Sequence, residues 1–216
     1  MRKRHLFLFG AGPPFNEELG KAYSNLAQQR EGHISILFLE REGWEAYMPK
    51  YTSVLQANGM ENFRYIPLSS TPTEQQLADL QASSGVIIGG GDTQRYQQYI
   101  VDTKFGEQIV QLYKHGAPVA GFSAGALLCP ENCVISPTDN ASKEQLYLKG
   151  LGIIKDCVIS VHYSQWNEEE YLKEAIQRTR VSTGYGFDEY VGVYFENEAF
   201  VQSEGEKLYV FNRSEL

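Results

Sequence analysis

Five short apolar runs recur along the first 122 residues of this chain: His5–Phe9, His33–Leu39, Phe63–Leu68, Gly85–Ile88 and Pro118–Phe122. Between them lie segments with helical spacing. One runs from an Asn16 cap to about Arg30. A second spans Trp44–Ala57, with Pro49 near its start and Gly59 past its end. A third covers Thr73–Gln81, and a fourth runs from Thr93 to about Lys114 with a break near Thr103. Strands that alternate with helices are joined by right-handed crossovers, which build a parallel sheet. In such a sheet ligands collect at the carboxyl ends of the strands. Two conspicuous turns fall there: Gly89-Gly90-Gly91-Asp92 after the fourth strand and Ser123 after the fifth.

Beyond Ala126 the pattern loosens. Residues 131–149 are polar, contain Pro137 and Asp139-Asn140, and read as a long loop near the site. Cys157–Val161 reads as a sixth strand, and Asn167 as the cap of a helix from Glu168 to about Arg178. Short strands follow at Tyr190–Phe195, Ala199–Gln202 and Lys207–Phe211, an antiparallel edge or C-terminal hairpins. The 216 residues fit one α/β domain spanning 1–216, and 42% hydrophobic and 12% aromatic content is enough for a sizeable core.

Several function classes are set aside at once. A net charge of −8 argues against broad binding to nucleic acid or to an anionic membrane surface. The apolar run Leu6–Phe9 is shorter than the roughly seven residues of a signal-peptide core. No stretch approaches the roughly 18 apolar residues of a membrane span. Three cysteines, an odd number, read as a reduced, cytoplasmic protein. Cys129, Cys133 and Cys157 are too few and too oddly spaced for zinc, so neither metal nor cofactor is expected. Gly10-Ala11-Gly12 lacks the third glycine of a dinucleotide loop, and no Walker-type phosphate loop occurs.

The stretch Gly121-Phe122-Ser123-Ala124-Gly125-Ala126 carries the chemistry. It has the G-x-S-x-G spacing of a nucleophile elbow, in which small neighbours let the backbone turn tightly and present the serine hydroxyl. The simpler role for Ser123 is to cap the following helix. A serine nucleophile needs a base and a group that orients the base. Of four histidines, His5 and His33 begin strands and lie at the far end of the sheet. His115 sits at a helix end, where it favours the dipole. Only His162 ends a strand at its carboxyl side, so it is the candidate base. The orienting acid is either Asp139 or Glu189. Ala124 supplies one backbone N–H to an oxyanion hole, and Gly90 or Gly91 the other. Asp92, Arg95 and Tyr163 are the candidate substrate contacts.

Together, Ile87-Ile88-Gly89-Gly90-Gly91-Asp92-Thr93, the Gly121–Ala126 block and the strand-end His162 resemble the peptidase E (S51) family of aspartyl dipeptidases and cyanophycinases. That resemblance implies a three-layer sandwich with a mostly parallel central sheet, like class I glutamine amidotransferases (flavodoxin-like), with serine in place of cysteine. It implies a metal-independent serine peptidase that cuts small peptides bearing an acidic N-terminal residue. It carries Ser123 over as nucleophile and His162 as base, with Asp139 and Glu189 both near positions where the family keeps an acid. One departure stands out. Family dipeptidases have arginines after the histidine, whereas here Tyr163–Glu170 contains three glutamates and no arginine. A preference for acidic residues is therefore not expected, unless Arg95 substitutes.

The expected function is a dipeptidase or exopeptidase acting on small peptides, as monomer or homodimer. Two alternatives are an α/β-hydrolase-type esterase, disfavoured by the long tail after His162, and a catalytically inactive peptide- or ligand-binding module.

Overall fold

The computed structural model describes residues 2–216. Twelve strands form: β1 (His5–Phe9), β2 (His33–Phe38), β3 (Phe63–Pro67), β4 (Ser83–Ile88), β5 (Val119–Phe122), β6 (Asn132–Ile135), β7 (Leu146–Lys149), β8 (Cys157–Val161), β9 (Thr183–Phe187), β10 (Gly192–Glu196), β11 (Ala199–Glu204) and β12 (Leu208–Asn212). Eight helices accompany them: α1 (Glu17–Ala27), α2 (Trp44–Tyr47), α3 (Pro49–Ala57), α4 (Glu74–Gln81), α5 (Thr93–Ile100), α6 (Lys104–Lys114), α7 (Ala124–Leu127) and α8 (Glu169–Thr179).

The central sheet has seven strands in the order β11-β10-β1-β5-β4-β2-β3. The five from β1 to β3 are mutually parallel, while β10 and β11 continue antiparallel at one edge. Alternation along each strand feeds two faces. Leu6, Leu8, Val86, Ile88 and Val119 pack with Leu80, Tyr96, Ile100, Phe105 and Ile109 of α4–α6. Phe7, Phe9, Ile34, Ile36, Ile87 and Phe122 pack with Leu19 and Tyr23 of α1 and with Tyr51 and Leu55 of α3. This is the expected three-layer architecture. Among the described residues, no helix is long and apolar enough to cross a membrane.

Four expectations change. Residues 131–149 are not a plain loop, because β6 and β7 pair as an antiparallel hairpin. Pro49 at its first position starts α3 afresh, so the 44–57 segment is two helices. Asn16 does not cap α1 with its side chain: its Nδ2 donates to the Tyr190 carbonyl, and the Glu204 carboxylate accepts from the Glu18 and Leu19 N–H groups instead. Asn167 precedes rather than caps α8, whose flanking residue is Glu168.

The largest change concerns β8. It does not join the central sheet but pairs with β9 in a second sheet ordered β12-β9-β8, with α8 as the crossover between β8 and β9. The two sheets meet tip to tip, where the His162 N–H donates to the Gly10 carbonyl at 3.2 Å.

Candidate active site

Close backbone approach sets the position of Ser123. A Cβ on Gly125 would lie 2.3 Å from the Ile88 carbonyl oxygen, and one on Gly121 would lie 2.5 Å from the Gly125 carbonyl oxygen. Both flanking glycines are therefore required sterically. Ser123 itself has φ +48° and ψ −108°, a strained conformation for a residue with a side chain. It is held by its N–H to the Phe9 carbonyl at 3.0 Å and by its own carbonyl, which accepts from the Ala126 N–H at 2.8 Å. Ser123 thus stands at the head of α7 without capping it, since its side chain makes no capping bond.

The hydroxyl points to His162. Ser123 Oγ lies 3.2 Å from His162 Nε2, and His162 Nδ1 lies 2.9 Å from Glu189 Oε1. A carboxylate only accepts, so Nδ1 carries the proton and Nε2 is left free to accept from the serine hydroxyl. His162 also has positive φ, +49°. The carbonyl of His162 accepts from the Trp166 N–H at 2.9 Å, which closes a helical turn after β8.

The two candidate acids have different partners. Glu189 meets the imidazole. Asp139 instead accepts from Thr93 Oγ1 at 2.5 Å. Burial pushes the Asp139 carboxyl up, while the Thr93 hydroxyl and the nearby His162 pull it down. Asp139 is thus near the imidazole without a hydrogen bond to it. Its neighbour in the hairpin, Ser136, donates to buried Glu168 at 2.6 Å, and Ser160 of β8 donates to the same carboxylate at 3.3 Å.

The oxyanion side needs one correction. The Gly90 N–H is already engaged with the Tyr51 hydroxyl at 3.1 Å, so Gly90 is no free donor. Its backbone still borders the nucleophile, because a Cβ on Gly90 would lie 3.3 Å from Ser123 Cβ. The Gly91 and Ala124 N–H groups donate to no other group among the described residues. Tyr96 completes the support: its hydroxyl donates to the Gly90 carbonyl and accepts from the Leu39 N–H, each at 3.3 Å. Desolvation pushes both tyrosine hydroxyls far above their ordinary range.

Tyr163 lies apart from the pockets beside the elbow. It is buried beside Tyr209 and Phe211 in the core under α8, and its ring fills the space where Gly186 lacks a side chain. Asp92 caps α5, accepting from the Arg95 N–H at 3.0 Å. Both Asp92 and Arg95 line a cavity of about 200 Å³ that opens beside Gly90 and Gly91 and is walled by Trp44, Tyr47, Tyr51 and Tyr96. Glu40 and Arg41 complete that wall, with the Arg41 guanidinium 4.8 Å from the Tyr47 ring centroid. A second cavity of about 390 Å³, lined by Gly12, Pro13, Pro14, Phe15 and Glu189, shares Tyr47. Sequence reasoning missed Tyr47, Tyr51 and Arg41. They lie on α3 and in the loop and short helix before it, and no local pattern ties them to the elbow.

The remaining histidines and the cysteines lie elsewhere in the fold. His5 meets the Tyr194 hydroxyl, His33 the Asp79 carbonyl and His115 the Gln111 carbonyl, all away from Ser123. The three cysteines are free and buried, and desolvation pushes the Cys133 and Cys157 thiols up to about 12. No group of three or more His, Cys, Asp or Glu side chains among the described residues is placed to hold a metal.

Several known proteins are similar to this chain. A cyanophycinase from Trichormus variabilis (strain ATCC 29413 / PCC 7937) is 27% identical over 164 residues, which is 72% of this chain and 55% of that protein. Another from Synechococcus elongatus is 27% identical over 136 residues, 61% of this chain and 42% of that protein. The chain thus spans about half the length of these relatives. A crystal structure of a peptidase from an acI-B1 Actinobacterium superposes with a TM-score of 0.69 at 16% identity, covering 97% of this chain and 87% of that one. A putative peptidase E protein from Listeria monocytogenes EGD-e gives 0.68 at 14% identity, covering 95% and 100%. These two likenesses establish the shared fold. The family model for peptidase family S51 matches residues 16–203, a span that holds the elbow, the strand-end histidine and its carboxylate, and this chain belongs to that family.

Proposed function

We propose that this protein is a serine peptidase that hydrolyses short peptides through Ser123, His162 and Glu189. The observation that carries this reading is the hydrogen-bonded series Ser123 Oγ–His162 Nε2 and His162 Nδ1–Glu189 Oε1. The serine proton passes to Nε2 as Oγ bonds to the scissile carbonyl carbon. The carbonyl oxygen, now an oxyanion, is met by the Gly91 and Ala124 N–H groups. The imidazolium returns its proton to the departing amine, and water then cleaves the acyl-serine by the same route. Asp139 acts near this series, not within it.

Peptide size follows from the cavities. One pocket lies beside Gly90 and Gly91, the other beside Glu189, and both share Tyr47; spaces of this size suit one or two residues better than a long chain. The pocket beside Gly91 carries Glu40, Arg41, Asp92 and Arg95, so its formal charges cancel. Its long-range field selects neither acidic nor basic side chains, in keeping with the absence of arginines after His162.

The test is a dipeptide panel with wild type and Ser123→Ala, run beside a fluorophosphonate probe. Wild type should be labelled at Ser123 and should hydrolyse dipeptides, with Asp-Leu and Leu-Leu turned over within about tenfold of each other. Ser123→Ala should do neither. Hydrolysis by Ser123→Ala at the parent rate defeats the assignment. A wild-type protein that binds dipeptides but is never labelled is the inactive binding module, and one that cuts only esters is the esterase.

A further inference from the structure

Beyond the series just described, the imidazole has one more close neighbour. The Trp166 indole lies against the face of His162 with ring centroids 4.3 Å apart and planes 26° from parallel. Its placement is fixed by the fold. The Trp166 N–H closes the turn onto the His162 carbonyl, the Ser164 N–H donates to Asp188 Oδ1 at 2.8 Å, and the Glu168 N–H donates to the Tyr163 carbonyl at 3.0 Å. Glu168 itself is 3% exposed and anchored by two serine hydroxyls. A turn tied at so many points carries a large aromatic ring onto the base.

The chemistry gives that contact a consequence. With Nδ1 bonded to Glu189, the ring gains a positive charge when Nε2 takes the proton from Ser123. An indole face carries negative electrostatic potential and attracts a cation more than a neutral ring. A group that favours imidazolium over imidazole stabilises the transition state over the ground state, and that difference is what accelerates a reaction.

We propose that Trp166 is a positioning residue for His162: it holds the imidazole plane between Ser123 and Glu189 and stabilises the imidazolium through its face. This rests on the reading of Ser123 and His162 as nucleophile and base. The charged groups around the ring are Glu189 at Nδ1 and Asp139 from the β6–β7 hairpin, with Asp188 and Glu168 engaged in anchoring the turn. All are carboxyl groups, and Trp166 is the aromatic cover of the ring's face.

The test uses the rate of Ser123 labelling by a fluorophosphonate as a function of pH, which needs no identified substrate. In that step the Ser123 Oγ–P bond forms, fluoride leaves, and the hydroxyl proton goes to His162 Nε2 and then to water. Trp166→Leu should lower the plateau rate roughly fivefold and move the acidic limb of the profile roughly half a pH unit toward lower pH. Trp166→Phe, which keeps a π face, should restore both to within about twofold. Replacing tryptophan by fluorinated analogues keeps the shape and weakens the face, so the limb should step downward with each added fluorine. Trp44 would be substituted too; it packs on Phe38 and Tyr65 and lines the pocket beside Gly91, so the fluorinated analogues are introduced into a Trp44→Phe background, where Trp166 is the tryptophan that changes. If wild type is not labelled, the peptidase reading itself fails. If wild type is labelled but the limb stays in place in both the leucine variant and the fluorinated protein, Trp166 is mere packing and the proposal is overturned, whatever the plateau rate does.

Discussion

At the scale of single residues, Glu189 and Asp139 touch different partners, and the proposed chemistry gives them different work. Glu189→Gln places an amide where Nδ1–H needs an acceptor, and the amide's own N–H₂ favours the wrong tautomer. The turnover number should fall about a thousandfold or more. Asp139→Asn keeps an oxygen for the Thr93 hydroxyl and should cost less than about tenfold. Steady-state hydrolysis of the best dipeptide of the panel separates the two, and equal losses would mean that both acids serve the base. Tyr51→Phe removes the acceptor of the Gly90 N–H. An orphaned buried donor costs about 1–3 kcal/mol, and the loop that presents the Gly91 N–H loses its brace. Its turnover should drop about tenfold with KM nearly unchanged, whereas a change confined to KM would place Tyr51 in substrate binding alone.

At the scale of elements, the β6–β7 hairpin and the turn after β8 are joined by Glu168. Burial raises its carboxyl above the ordinary 4.5, and the Ser136 and Ser160 hydroxyls only partly oppose this. A carboxyl that holds its proton more tightly when folded stabilises the fold fully below the unfolded value. That stabilisation is lost as pH rises through the folded value. Glu168→Gln should therefore show a smaller fall in melting temperature than wild type as pH rises above 4.5, since Asp139, shifted in the same direction, is common to both proteins. Parallel melting curves would refute this. The hairpin is also where the sequence was hardest to read. Asn132–Ile135 and Leu146–Lys149 are four residues each and sit in polar surroundings, so neither shows a period. β9 is hidden for another reason. Gly184 and Gly186 weaken its strand signal, yet a Cβ at either would lie 2.4 Å from Ile176 or Tyr163. The parallel core, by contrast, was legible because each apolar run is bounded by turn residues, and the elbow because its glycines are sterically compelled. The choice of Glu189 over Asp139 was not legible, since both acids follow plausible turns and only the packing of the second sheet aims one of them at Nδ1.

For the whole molecule, the two sheets meet at Gly10. Its carbonyl accepts from the His162 N–H, and a Cβ there would lie 2.1 Å from the Asp188 carbonyl oxygen. Gly10→Ala must push the sheets apart. The added methyl should cost about 1–3 kcal/mol, with melting lowered by about 2–4 °C per kcal/mol for a chain of this size. Labelling of Ser123 should fall about tenfold or more even where the variant remains folded. A variant that melts early yet labels at the parent rate would show that the seam and the site are independent. The same seam has a meaning for how the molecule is made. The hydroxyl of Ser123 emerges from the ribosome well before residues 162 and 189, and its base and its carboxylate arrive only with the C-terminal strands. Under the proposed chemistry, a copy made only as far as the elbow is harmless to the polypeptides crowded around it, and the capacity to cut appears only after residues 162 and 189 have been made and have folded onto it.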